Sequence, residues 1–137
     1  MSTDFLDAHQ RHWDDAEHLL AAGRWANADH LYGLSAECGL KRLMIAFGME
    51  TNTTGVPKVK KDKVHVDEAW DRYESYRSGH CLGANYPLPL SNAFDTWNVS
   101  QRYDHRMYFD QAVAQAHRAG ADTVKNLISQ AQQAGVI

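Results

Sequence analysis

The chain has 137 residues, 44% of them hydrophobic and 23% charged, with a formal charge of −3. That length and composition fit one globular domain with a core of its own and exclude a disordered chain. The slightly acidic balance excludes nucleic-acid binding driven by overall charge and leaves only local basic patches for that role.

The first helix is expected from about Asp4 to Ala22. Ser2 or Thr3 can cap it, Asp4 and Asp7 suit its positive end, and Gly23 stops it. Phe5, Ala8, His12, Ala16, Leu19 and Leu20 form its inner face, with Trp13 at the edge of that face. Arg24 and Trp25 fall in a short connection, which makes the first two helices an antiparallel hairpin.

The central helix is Asn27 to Gly48, NADHLYGLSAECGLKRLMIAFG. It has two apolar faces at helical spacing. One holds Ala28, Leu31, Leu34, Cys38 and Ile45; the other holds Tyr32, Ala36, Leu40, Leu43 and Phe47. A helix apolar on most sides is buried by its neighbours. His30, Glu37 and Lys41 make its only consistent polar line, and Glu37 stands four residues before Lys41 in the favourable order for an ion pair. Gly33 and Gly39 each cost a helix roughly 1 kcal/mol against alanine, so close packing of another backbone is expected there.

From Met49 to Lys63 the periodicity dissolves. TNTTGVPKVKKDK reads as a flexible basic loop, either solvated or in contact with a phosphate backbone. A third helix is expected from about Val66 to Arg77, with Asp67 and Glu68 at its start and Gly79 beyond its end. Gly83, Pro87 and Pro89 then forbid regular helix, with a short helical turn expected around Asn92 to Asp95. The last helix is expected from Met107 to Ala134. Val113, Ala116, Gly120, Val124, Leu127 and Ala131 form its seam, with a close crossing at Gly120. The whole is an all-α, up-and-down bundle of about four main helices plus a short one, in a single domain over residues 1–137.

Cys38 and Cys81 form no disulfide framework, and Cys38 reads as a small apolar filler. MSTDFLDAHQRHW has no apolar signal core and no run is long enough to span a membrane. A cytoplasmic location is therefore expected.

The segment TWNVSQRYDHRMYFD, Thr96 to Asp110, gathers the residues with chemistry. If it is helical, Arg102, His105 and Arg106 share a face. Arginine forks to phosphate or carboxylate, and histidine moves a proton near neutral pH. Such a set can make a metal-independent nuclease, with Arg102 stabilising charge on a cyclising phosphate and His105 as acid or base. The structural alternative pairs Arg102 with Glu37 and pins the segment to the core.

HLYGLSAECGLKRLM in the central helix, the third helix after a variable loop, and WNVSQRY resemble the HEPN domains over most of the chain, Asp4 to Ala134. The resemblance implies a helical bundle, commonly homodimeric, of prokaryotic defence and toxin–antitoxin systems. Some members are RNases; others are thought to bind nucleotides or to act as non-catalytic partners, often beside a small nucleotidyltransferase. The RNase members carry an arginine followed by a histidine after four to six residues. Here Arg102 meets His105 after two, Arg72 meets His80 after seven, and Arg106 is too far from His117. The resemblance therefore implies a cytoplasmic binding or partner module without intact RNase chemistry, with Arg102, Tyr103, Arg106, Glu37 and Lys41 as ligand-binding residues. The alternative is an endoribonuclease using Arg102 and His105, two copies of which can line one cleft in a dimer joined by its last helices.

Eight histidines raise the question of metal, and a metal-dependent bundle enzyme is a third reading. A di-metal bundle site needs Glu-x-x-His on two helices, which is absent. His12, His65 and His117 remain the candidate trio, and His80–Cys81 is a single pair without a second ligand motif. No metal and no cofactor is assigned. There is no phosphate-cradling glycine loop and no G-x-S-x-G turn.

Overall fold

The computed structural model describes residues 1–137, and they form four main helices and no strand. Helix α1 is Phe5–Ala21, α2 is Trp25–Ala46, α3 is Val66–Ser78 and α4 is Gln111–Gln133. Asp4 caps α1 through Asp7 N–H, and Asp110 caps α4 through Val113 N–H. The all-α bundle expected from the sequence is what forms. None of the helices is long and apolar enough to cross a membrane.

Helix α2 is the centre. Twelve of its 22 residues are buried, because α1, α3 and α4 all pack on it. The α1–α2 hairpin turns at Gly23, whose φ of +73° is the left-handed conformation that glycine adopts without strain.

The inner face of α1 is rotated from the one expected. His9, Trp13 and Ala16 are its buried residues, while Phe5 and His12 are only half-buried. His9 enters the core because its polar atoms find partners: Nδ1 donates to the Ser35 carbonyl at 2.8 Å, and Ser35 Oγ donates to the His9 carbonyl at 2.9 Å. Burial holds the His9 pKa below its ordinary value.

The helical glycines are places where side chains press on a helix. A Cβ on Gly33 would lie 2.2 Å from the Trp97 indole, and one on Gly39 would lie 2.6 Å from Val124 and 2.8 Å from His9. The close neighbours expected as backbone are therefore rings and a valine. Gly120 is covered by Ala93 and Phe94 of the same chain, so its close approach is spent inside the fold. Along α4, His117 is buried and Ala116 exposed, the reverse of the expected seam.

The basic loop is folded back on itself. Thr51 and Pro57 form an isolated bridge, and Asn52 Oδ1 accepts from the N–H groups of Thr54 and Val56. Its far end is held by Asp62, fully buried, which accepts from Arg72 at 2.9 Å and from the Tyr76 hydroxyl at 2.6 Å. A buried carboxylate must be paired in this way. The proline segment then leads to a turn over Ala93–Thr96, where Asn92 holds both Asp67 and Phe94.

Candidate functional site on the linker into α4

Two short 3-10 turns, Val99–Tyr103 and Arg106–Tyr108, join the Trp97 region to α4. The segment is therefore not α-helical, and α4 starts at Gln111, four residues later than expected. Asp104 and Phe109 are extended, which breaks the helical register that would have stacked Arg102, His105 and Arg106 on one face.

The first turn is fastened to α2. Asn98 and Gln101 form a reciprocal capping box. Trp97 lies in the notch of Gly33 and its indole N–H donates to the Asp29 carbonyl at 3.2 Å. Gln101 Nε2 donates to Asp29 Oδ2 at 2.6 Å, and His117 Nδ1 donates to Asp29 Oδ1 at 2.5 Å. With Nδ1–H committed to Asp29, His117 Nε2 accepts from the Thr96 hydroxyl at 3.3 Å. Asp29 is fully buried and His117 nearly so. One carboxylate thus ties the linker to both α2 and α4.

The residues that follow are treated in the opposite way. Tyr103, Met107 and Tyr108 are 79%, 74% and 69% exposed. Arg102 lies over the Tyr103 ring at 4.9 Å, and neither Arg102 nor Arg106 has a carboxylate partner within ion-pair distance. Arg106 lines a recess of about 290 Å³ with Arg24, Asn27, Asp104 and Phe109 at the start of α2. Arg24, the residue before α2, makes no side-chain cap, so the first N–H groups of α2 have no side-chain acceptor there. His105 caps the second turn by accepting from Met107 N–H at 3.1 Å through Nδ1.

Glu37 and Lys41 stand elsewhere. Lys41 Nζ donates to Glu37 Oε1 at 2.9 Å, His65 Nδ1 meets Glu37 Oε2 at 3.1 Å, and the Glu37 and Lys41 side chains are 11% and 7% exposed. The Glu37–Lys41 pair expected from the spacing forms. The alternative pairing of Arg102 with Glu37 does not, because Lys41 and His65 occupy both carboxylate oxygens. Arg102, Tyr103 and Arg106 therefore make one exposed strip, and Glu37 and Lys41 belong to a separate buried pair.

His30, in the polar line of α2, lies flat on Trp97 with ring centroids 5.4 Å apart. Its Nδ1 is buried without a partner. Burial lowers its pKa, as does the nearby charge of Arg102, and it adjoins Asp29, the carboxylate that anchors the linker. Sequence reading missed Asp29, Gln101 and His117 as the anchor, and placed no role on His30.

No group of three or more His, Cys, Asp and Glu side chains is placed to hold a metal ion. Of the candidate trio, His117 is committed to Asp29 and Thr96, and His65 to Glu37. His80 accepts from Leu82 N–H, with Cys81 Sγ at 4.0 Å. No family model, no curated protein and no solved structure matches the chain.

Proposed function

We propose that the protein is a HEPN-like binding module that takes a nucleotide-type ligand on the strip Arg102–Tyr108, without RNase catalysis. The observation that carries this reading is the pair of arginines, Arg102 and Arg106, left without carboxylate partners among exposed tyrosines on a tightly anchored linker. Guanidinium groups fork to phosphate, and tyrosine faces stack on bases. Asp104 stands between the two arginines and is exposed, so charge alternates along the strip. That suits one or two phosphates beside a base and opposes a long polyanion, in keeping with the overall charge of −3. The ligand's shared chemistry is a phosphate ester on a nucleoside, whether free or at the end of a single-stranded RNA.

The resemblance of HLYGLSAECGLKRLM and WNVSQRY to HEPN domains supports the same reading. It brings with it a cytoplasmic homodimer and a nucleotidyltransferase-like partner. Light scattering at micromolar concentration tests the dimer, and a monomer there removes it.

Calorimetric titration with ATP and, separately, with a single-stranded RNA hexamer tests the ligand. Binding of either by the native protein, lost in Arg102→Ala with unchanged melting, is the expected result. Equal binding by Arg102→Ala removes the strip as the site. The second reading, an endoribonuclease, draws on His105, whose Nδ1 is committed to the Met107 cap and whose Nε2 is the nitrogen left for proton transfer. RNA cleavage that persists in chelator and disappears in His105→Ala would put it first.

A further inference from the structure

We infer that His30 is a ligand-contacting residue of this strip, donating a hydrogen bond from its Nε2–H to a phosphate oxygen held by Arg102. The inference rests on the reading of Arg102–Tyr108 as a nucleotide site, and adds a residue from a different element and a named donor nitrogen.

The geometry starts from Trp97. Its indole fills the Gly33 notch on one side, and the His30 ring stacks on it at an interplanar angle of 13°. Trp97 is held by Asp29, and Gln101, also on Asp29, sets the start of the exposed strip one residue before Arg102. His30 and Arg102 are thus positioned by the same anchor. His30 is half-buried. Its Nδ1 reaches neither solvent nor any protein partner, which leaves Nε2 as the only nitrogen that can meet a ligand.

The sealed Nδ1 leaves Nε2 to meet the ligand. A phosphate oxygen only accepts, so Nε2 must carry the ring proton to bond it, and Nδ1 is then a sealed lone pair. The charged groups around the ring act against a second proton on balance. Arg102 from the linker, His12 from α1 and His65 ahead of α3 oppose a positive charge. Asp29 on α2 favours one, but its carboxylate is already held by His117 and Gln101. His30 is thus held below its ordinary pKa by burial and by these charges. Having no accessible lone pair, it is no general base, which agrees with binding and not cleavage.

ATP titrated calorimetrically into His30→Phe and His30→Gln tests this. Phenylalanine keeps a ring on Trp97 and removes the donor; glutamine carries an N–H to about the position of Nε2. The expected result is affinity about tenfold or more weaker in His30→Phe, from a lost hydrogen bond to a charged group, and affinity within about threefold of native in His30→Gln. Native affinity is expected not to fall between pH 6.5 and 8, where ATP itself gains negative charge. Unchanged affinity in His30→Phe, with loss in Arg102→Ala, overturns the inference and leaves the site standing. Affinity that falls tenfold as pH rises from 6.5 to 8 also overturns it, because the donor would then be a cation. No ATP or RNA hexamer bound by the native protein overturns site and inference together. A nitrogen-15 NMR spectrum of the histidine rings reads the tautomer without any ligand. The Nε2–H form is expected, and an Nδ1–H or protonated ring at pH 6.5 sinks the inference whatever the titrations give.

Discussion

Residues Trp97 to Gln101 and residues Arg102 to Tyr108 adjoin in the chain and are opposites in how their polar groups are used. The first stretch spends its donors on Asp29: the Trp97 indole on the backbone, the Gln101 amide on the carboxylate. The second offers two arginines, a tyrosine pair and a methionine to solvent, and neither arginine is ion-paired, although Asp104 stands between them. A buried polar group without partners is costly, so the first stretch reads as structure. Exposed, unpaired side chains add little to the fold, so the second stretch is free of a structural task. On the reading proposed above, a rigid anchor beside an open strip would pre-organise the site.

The largest effect should come from breaking the anchor. Asp29→Ala leaves the His117 and Gln101 donors buried without their acceptor. Loss of one member of such a network costs about 3–5 kcal/mol, and a marginally stable domain has only roughly 5–15 to lose. Thermal melting should fall steeply, and the strip should lose its ligand with it. A melting curve close to native would mean that water replaces the carboxylate and that Asp29 is no anchor. Gly33→Ala strikes the same place more gently. Its Cβ would lie 2.2 Å from Trp97, and a ring in a packed core cannot swing away, so a cost of about 1–3 kcal/mol is expected. Trp97 fluorescence should shift in parallel. An unshifted spectrum would show that the backbone gives and the indole does not.

The next effect is graded by pH. His9 is buried, and burial depresses its pKa in the folded state. The unfolded chain therefore takes up this proton first. Stability is fully present above the unfolded value near 6.5, and falls as pH drops below it towards the folded value. The slope from this one group reaches at most about 1.4 kcal/mol per pH unit. His9→Asn keeps an N–H for the Ser35 carbonyl and cannot titrate. Chemical denaturation from pH 7.5 to 5 should give a flatter stability profile for that variant than for native protein. Parallel profiles would remove His9 as the cause.

The four helices were legible because their signals are local: acidic residues at the start of α1, glycines at the helix ends, and apolar faces at helical spacing; the α1 cap itself is Asp4 and not Ser2 or Thr3. Where the signal was not local, the reading failed in defined ways. His9 had no place in the inner face expected for α1 and His117 stood in a candidate metal trio, yet both are core residues because their partners lie across the fold. The Asp29 network joins residues 72 and 88 positions apart, and no periodicity encodes such pairs. The start of α4 was read four residues early because Met107, Tyr108 and Phe109 continue an apolar pattern that the extended Phe109 and the Asp110 cap interrupt. The exposed strip was legible as a cluster of Arg, Tyr and His; its partner His30 was not, since only the fold brings α2 beside the linker.

The smallest effect on stability belongs to the strip, and it is the sharpest test of the contrast. Arg102 is exposed, has no ion pair, and touches the fold through the face of Tyr103, itself exposed. A cation over an exposed ring is worth about 0.5–1 kcal/mol, and surface changes away from special features stay within about 0.5. Arg102→Ala and Tyr103→Ala should therefore melt within a degree or two of native protein while losing ATP or RNA hexamer. Equal melting with equal binding would empty the strip of function. A fall in melting comparable to that of Asp29→Ala would mean that Arg102 is part of the anchor after all, because an unpaired surface guanidinium has no other way to hold a fold together.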